Sequence, residues 1–83
     1  MKDSDLFHFV SLVDQMVEQQ RTKLLGIARR HDPDLTFEDL LSPHDIPGLC
    51  LDPVFNYEDG ILAGLLSARA CILAEVRNTN QND

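Results

Sequence analysis

The chain has 83 residues, 43% of them hydrophobic, and a formal net charge of −7. That length allows one small domain with a modest core, and the apolar share excludes a disordered chain. The charge speaks against nucleic-acid phosphate or an anionic membrane as partner, since both would be repelled, and leaves a basic protein partner or mimicry of nucleic acid open.

The opening Met1-Lys2-Asp3-Ser4-Asp5 is acidic and no small-residue cleavage site follows an apolar run, so no secretory leader is expected. Residues 4–30 predict one long amphipathic helix without an internal proline. At ~100° per residue, Leu6, Phe9, Val10, Val13, Met16, Val17, Leu24, Ile27 and Ala28 gather on one side. Asp14, Gln15, Glu18, Gln19, Thr22 and Arg29 gather on the other. Asp3 or Ser4 is placed to cap the start, and Arg29 and Arg30 suit the negative end of the helix dipole. His31-Asp32-Pro33 ends the helix, because proline disfavours helical backbone in the residue before it.

Residues 32–56 form an acidic connection with four prolines, Pro33, Pro43, Pro47 and Pro53. A structureless loop of that length is unusual in a small domain, so structure is expected inside it. Thr36-Phe37-Glu38-Asp39 resembles a capping box, with the threonine hydroxyl placed to accept from an orphan amide. Ser42-Pro43-His44-Asp45 repeats the pattern with proline at the first helical position. One or two short helical turns follow, with Phe37, Leu40, Leu41, Ile46, Leu49, Leu51 and Phe55 packing down.

Asp52-Pro53 or Asn56 is expected to cap a second long helix, from about Val54 or Tyr57 to Arg77 (residues 57–77), and the polar tail 78–83 to fray. Its richest stretch, Ile61 to Val76, contains Arg69 and Glu75 and is no membrane span. Ile61, Leu62, Leu65, Leu66, Ile72, Leu73 and Val76 make an arc of large side chains. Gly60, Ala63, Gly64, Ser67, Ala70, Cys71 and Ala74 make the opposite arc, of small ones. A helix apolar all round is normally buried all round, which a single neighbouring helix cannot achieve. The expected architecture is therefore all-α, a long antiparallel helical hairpin that dimerises into a four-helix bundle. The candidate interface is Gly60, Ala63, Gly64, Ser67, Cys71 and Ala74, where small side chains let another backbone approach; the alternative is that this arc faces solvent.

Two polar residues interrupt the apolar arcs, Arg69 in the second helix and Gln20 in the first. An unpaired buried guanidinium costs several kcal/mol, so Arg69 requires a carboxylate or water. Glu58 is three turns away on its own helix and Asp59 is no better placed, so the partner must come from the first helix or the connection. Either Arg69 and Gln20 line a polar pocket, with His44, Asp45, Glu58 or Asp59 contributing, or they satisfy each other or an acid and fix the register.

No reaction is legible. His31-Asp32 and His44-Asp45, with His8, lack the spacing of a zinc site and read as helix-end residues. Glu38-Asp39 and Glu58-Asp59 occupy helix starts, where acids stabilise the dipole, and Asp14 and Glu18 lie on the solvent face of the first helix. The serines lack a base, no glycine-rich phosphate loop exists, and Cys50 and Cys71 form no paired-thiol motif, which suits a reducing cytoplasm. The reading is a non-enzymatic cytoplasmic regulatory or protein-interaction module that works as a homodimer without cofactor, metal, nucleic acid or membrane. The alternative is a small helical enzyme or ligand-binding protein with a polar pocket around Arg69.

Overall fold

The computed structural model describes residues 3–81. The first helix, α1 (Asp3–Ala28), is already helical at its first described residue, so its N-terminal capping lies outside the described residues. It ends two residues before the expected Arg30. Arg29 still donates to the Leu25 carbonyl at 2.9 Å, but the Arg30 and His31 amides tighten onto Ile27 and Ala28 at 3.1 and 2.9 Å. Asp32 then turns the chain, its Oδ1 accepting from the Asp34 amide at 3.0 Å. The Arg29 guanidinium fastens the exit by donating to the Leu35 carbonyl at 3.0 Å.

The connection folds as three short 3-10 turns, Glu38–Leu41, Pro43–Asp45 and Leu49–Leu51, one more than the sequence suggests. The resemblance to a capping box resolves differently from expectation. Asp39 Oδ2 accepts from both the Thr36 amide at 2.8 Å and the Thr36 hydroxyl at 3.1 Å, so the hydroxyl donates rather than accepts. Leu35, Leu40, Ile46 and Leu49 are buried and seal the closed end of the hairpin. Leu41 and Leu51, expected to pack down as well, are 79% and 82% exposed. At three residues per turn, Leu41 points about 120° from Leu40, and Leu51 about 120° from Leu49 on the other side, so one face cannot hold each pair.

The second helix, α2 (Pro53–Gln81), starts one residue before the earlier of the two expected starts and runs beyond the expected Arg77. Pro53 fits the first helical position, where its missing N–H is no loss. Asp52 is the cap: its Oδ1 accepts from the Val54 and Phe55 amides at 2.9 and 3.3 Å. Asn56 lies inside the helix and ties the connection to it, its Nδ2 donating to the Cys50 carbonyl at 3.0 Å. The predicted frayed tail is corrected in part. Residues 78–81 continue the helix because no glycine or proline stops it, while Asn82 and Asp83 lie outside the described residues.

The two helices pack antiparallel. On α1 the seam residues are Leu6, Val10, Val13, Val17, Gln20, Leu24 and Ile27, spaced alternately four and three apart, each buried or half-buried. On α2 they are Phe55, Glu58, Leu62, Leu65, Arg69, Ile72 and Val76, spaced alternately three and four, again each buried or half-buried. This is the 3.5-residue period of a coiled-coil pair, and Gln20, Glu58 and Arg69 are its polar members. The main apolar cluster joins Val17, Leu24, Ile27, Ala28, Leu62 and Phe55 to the connection's leucines and Ile46. The result is a rod of 51 × 19 × 18 Å.

Candidate functional site

Three surfaces could serve a function, and the seam positions all of them. In an antiparallel pair of helices, residues just before the outer seam positions share one flank and residues just after the inner ones share the other. The first flank carries Phe9, Met16 and Lys23 from α1 with Val54, Ile61, Ala68 and Glu75 from α2. The second carries Phe7, Asp14 and Arg21 from α1 with Asp59, Leu66 and Leu73 from α2.

The polar residues of the seam are satisfied across it. Gln20 Nε2 donates to the Glu58 carbonyl at 2.8 Å and to its carboxylate Oε2 at 2.7 Å. Lys23 Nζ pairs with Glu58 Oε1 at 2.8 Å from the first flank. Glu58 is buried, at 8% exposure, yet its carboxyl is held below its ordinary 4.5. The bond from Gln20 contributes most and Lys23 next, outweighing the desolvation that pushes the other way.

Arg69 Nε pairs with Asp14 Oδ1 at 2.5 Å. Sequence reasoning asked for an acid from the first helix or the connection; the acid is Asp14, half-exposed at the seam's edge rather than on the solvent face as expected. Arg69 and Gln20 therefore do not meet each other. Around this pair Asp14, Val17, Glu18, Arg21, Leu66 and Arg69 line an open groove of about 510 Å³ on the second flank. Arg21 pairs with Glu18 at 3.2 Å, and its guanidinium carbon sits 5.3 Å from the centre of the Phe37 ring. The Arg21 Nε is buried without a hydrogen-bond partner. The connection thus leans onto the second flank through Phe37.

None of the other candidates reaches this groove. Glu58 lies in the seam with Gln20 and Lys23, and Asp59 is exposed beside it. His44 is exposed on the Pro43–Asp45 turn. Asp45 joins Asp32, Glu38 and Asp39 around a second, acidic groove in the connection, of about 420 Å³. Among the described residues no three His, Cys, Asp or Glu side chains converge as metal ligands. His31 Nε2 lies 2.7 Å from Asp52 Oδ2 and so links the exit of α1 to the cap of α2. That bond, then the Phe55 amide, holds the Asp52 carboxyl below its ordinary 3.8.

Large apolar side chains remain uncovered. Phe9 and Met16, assigned by the wheel to the buried side of α1, are 44% and 49% exposed, and Leu12 is 41% exposed. Ile61 and Leu66 are likewise half-open on α2. One neighbouring helix covers only the width of a seam, so the edges of a broad apolar arc stay outside it. Gly60, Ala63, Gly64, Ser67, Cys71 and Ala74 lie on the back of α2, all exposed, and a Cβ built at Gly60 or Gly64 would meet nothing within 4 Å beyond its chain neighbours and its own helix backbone. Both cysteines are free thiols, Cys50 half-buried and Cys71 exposed. No helix among the described residues is long and apolar enough to cross a membrane. Comparison with protein-family models, with curated proteins and with solved structures finds no match to this chain in any of the three.

Proposed function

We propose that the chain is a non-enzymatic protein-interaction or regulatory module that acts as a homodimeric helical bundle. The observation that carries this is the amount of surface the hairpin leaves open. A compact monomer of 9.4 kDa exposes roughly 5,000 Å², whereas this chain exposes 5799 Å². The excess, roughly 800 Å², matches one partner's share of a standard protein interface. The radius of gyration agrees: it is 16.0 Å, where a compact domain of this length has about 12 Å. Two open faces are available to a second copy, the small-residue back of α2 and the apolar flank.

In such a bundle the acidic connection, with Asp32, Asp34, Glu38, Asp39 and Asp45, sits at an end, open to a basic protein partner. Light scattering across a wide concentration range tests the assembly. A molar mass of twice 9.4 kDa is the expected result, and a monomer at every concentration overturns the reading. A second reading, ligand binding beside Arg69, rests on the unpartnered Arg21 Nε in the neighbouring groove. It is weaker because the groove's two guanidinium groups are already matched by two carboxylates.

A further inference from the structure

We infer that the second copy docks on the first flank, through Phe9, Leu12 and Met16 of α1 together with Ile61, Ala68 and Ile72 of α2, and not on the small-residue back of α2. The inference rests on the homodimer reading above and specifies its interface.

Three features select this face. First, it is apolar along its middle: between Phe9 and Met16 on α1, and between Ile61 and Ile72 on α2, no charged residue falls on this flank. Its charge stands at the two margins, with Lys23, engaged by Glu58, at one and Glu75 at the other. That is the apolar centre and polar rim of a protein interface. Second, the rival faces differ. The other flank holds Asp14, Glu18, Arg21 and Arg69, whose ion pairs a docking partner would have to desolvate. The back of α2 offers glycines and alanines, which bury little area per residue. Third, the flank is contributed by both helices and so forms a broad sheet of side chains. Two copies related by a two-fold axis can lay such sheets face to face as a four-helix bundle, each helix gaining a second neighbour. The connection does not obstruct this, because its Phe37 packs on Arg21 of the opposite flank.

The occupant is a second copy on grounds of area and shape. The surplus surface of one hairpin is about half of a standard 1,600 Å² interface, which is what each member of a symmetric pair supplies. The net charge of −7 is no obstacle, since six of the acids, Asp32, Asp34, Glu38, Asp39, Asp45 and Asp52, lie in the connection at one end of the rod.

The test compares the molar mass of the full chain with four variants, each checked for helix content by circular dichroism. Met16→Glu and Ile61→Glu place a carboxylate on the proposed interface, and both are expected to run as folded monomers at concentrations where the parent is a dimer. Leu66→Glu on the other flank and Ala63→Leu on the back of α2 are expected to remain dimeric. If Met16→Glu and Ile61→Glu stay dimeric while Ala63→Leu dissociates, the homodimer stands and this interface is overturned. If the parent chain is a monomer throughout, the homodimer reading itself fails and the interface with it. Should a carboxylate unfold the hairpin, a polarity-sensitive dye on Ala68→Cys, in a chain with Cys50→Ser and Cys71→Ser, replaces it. Its emission shifts to the blue with rising concentration if the flank is buried, and an unchanged spectrum through the dimerisation range overturns the proposal.

Discussion

Gln20 of α1 grips Glu58 of α2 twice, with one amide nitrogen donating to the backbone carbonyl and to the side-chain carboxylate of the same residue. Because the two bonds end on one partner, they fix the axial register of the helices. A shift of one residue would break both and leave the carboxylate in the seam without the Gln20 amide.

The acid limb of stability depends on that arrangement. Glu58 and Asp52 both have folded-state carboxyls held below their ordinary values of 4.5 and 3.8. Each therefore contributes stability in full above those values and loses it as the pH falls through the lower, folded ones. Glu58→Gln is expected to flatten the decline in stability below about pH 4.5, measured by urea unfolding at a series of pH values. The same steep decline in the variant and the parent would show that other carboxylates govern the limb.

Arg69→Met tests the other polar seam position. The pair with Asp14 is 38% and 47% exposed, and solvent screens ion pairs of this kind to about 1 kcal/mol or less. Methionine also adds apolar surface in the seam, so the variant should unfold within about 1 kcal/mol of the parent or above it. A loss of several kcal/mol would mean that Arg69 anchors the open half of the hairpin.

In the connection, neighbouring leucines should behave oppositely. Leu49 is fully buried, and Leu49→Ala is expected to cost about 2–5 kcal/mol by cavity formation. Leu51→Ala and Leu41→Ala, at exposed positions, should fall within about 0.5 kcal/mol of the parent. Thermal and denaturant unfolding of the three variants separates these outcomes. Equal losses would mean that the exposed pair is covered in solution.

Glycines divide in the same way. Gly48 has a φ of 81°, with His31 Nδ1 3.5 Å from where a Cβ would sit. Gly48→Ala should be destabilising by about 1–2 kcal/mol, the cost of left-handed backbone in a residue with a side chain. Gly64 lies in open helix, so Gly64→Ala should stabilise by about 1 kcal/mol. A destabilised Gly64→Ala would instead signal a close neighbour on the back of α2.

Much of this architecture was legible from spacing. Gln20 and Arg69 stood out because each broke an apolar stripe, and both are indeed seam positions. Their partners were not legible: a long arginine can reach acids over more than one turn, and Asp14 is a solvent-side residue on a helical wheel until the second helix is set beside it. Lys23 was missed for the same reason. The over-wide apolar stripes of both helices concealed the difference between seam and flank. The alternating three and four spacing that separates Met16 from Val17, and Ile61 from Leu62, was present in the sequence as the usable signal. The continuation of α2 to Gln81 was not legible because no residue there compels either continuation or a stop.

The uneven distribution of the core has a mechanical consequence. Leu24, Leu49 and Phe55 lie at the connected end and are nearly sealed from solvent, while Leu6, Val10 and Val76 stand apart from that cluster, beyond Arg69. The hairpin is thus a pair of tweezers with its fulcrum at the connection. The tips part at less cost than the base, because the main apolar cluster lies at the base. Amide exchange in the isolated chain should accordingly quicken from base to tip, and whatever grips the tips gains leverage over the whole rod.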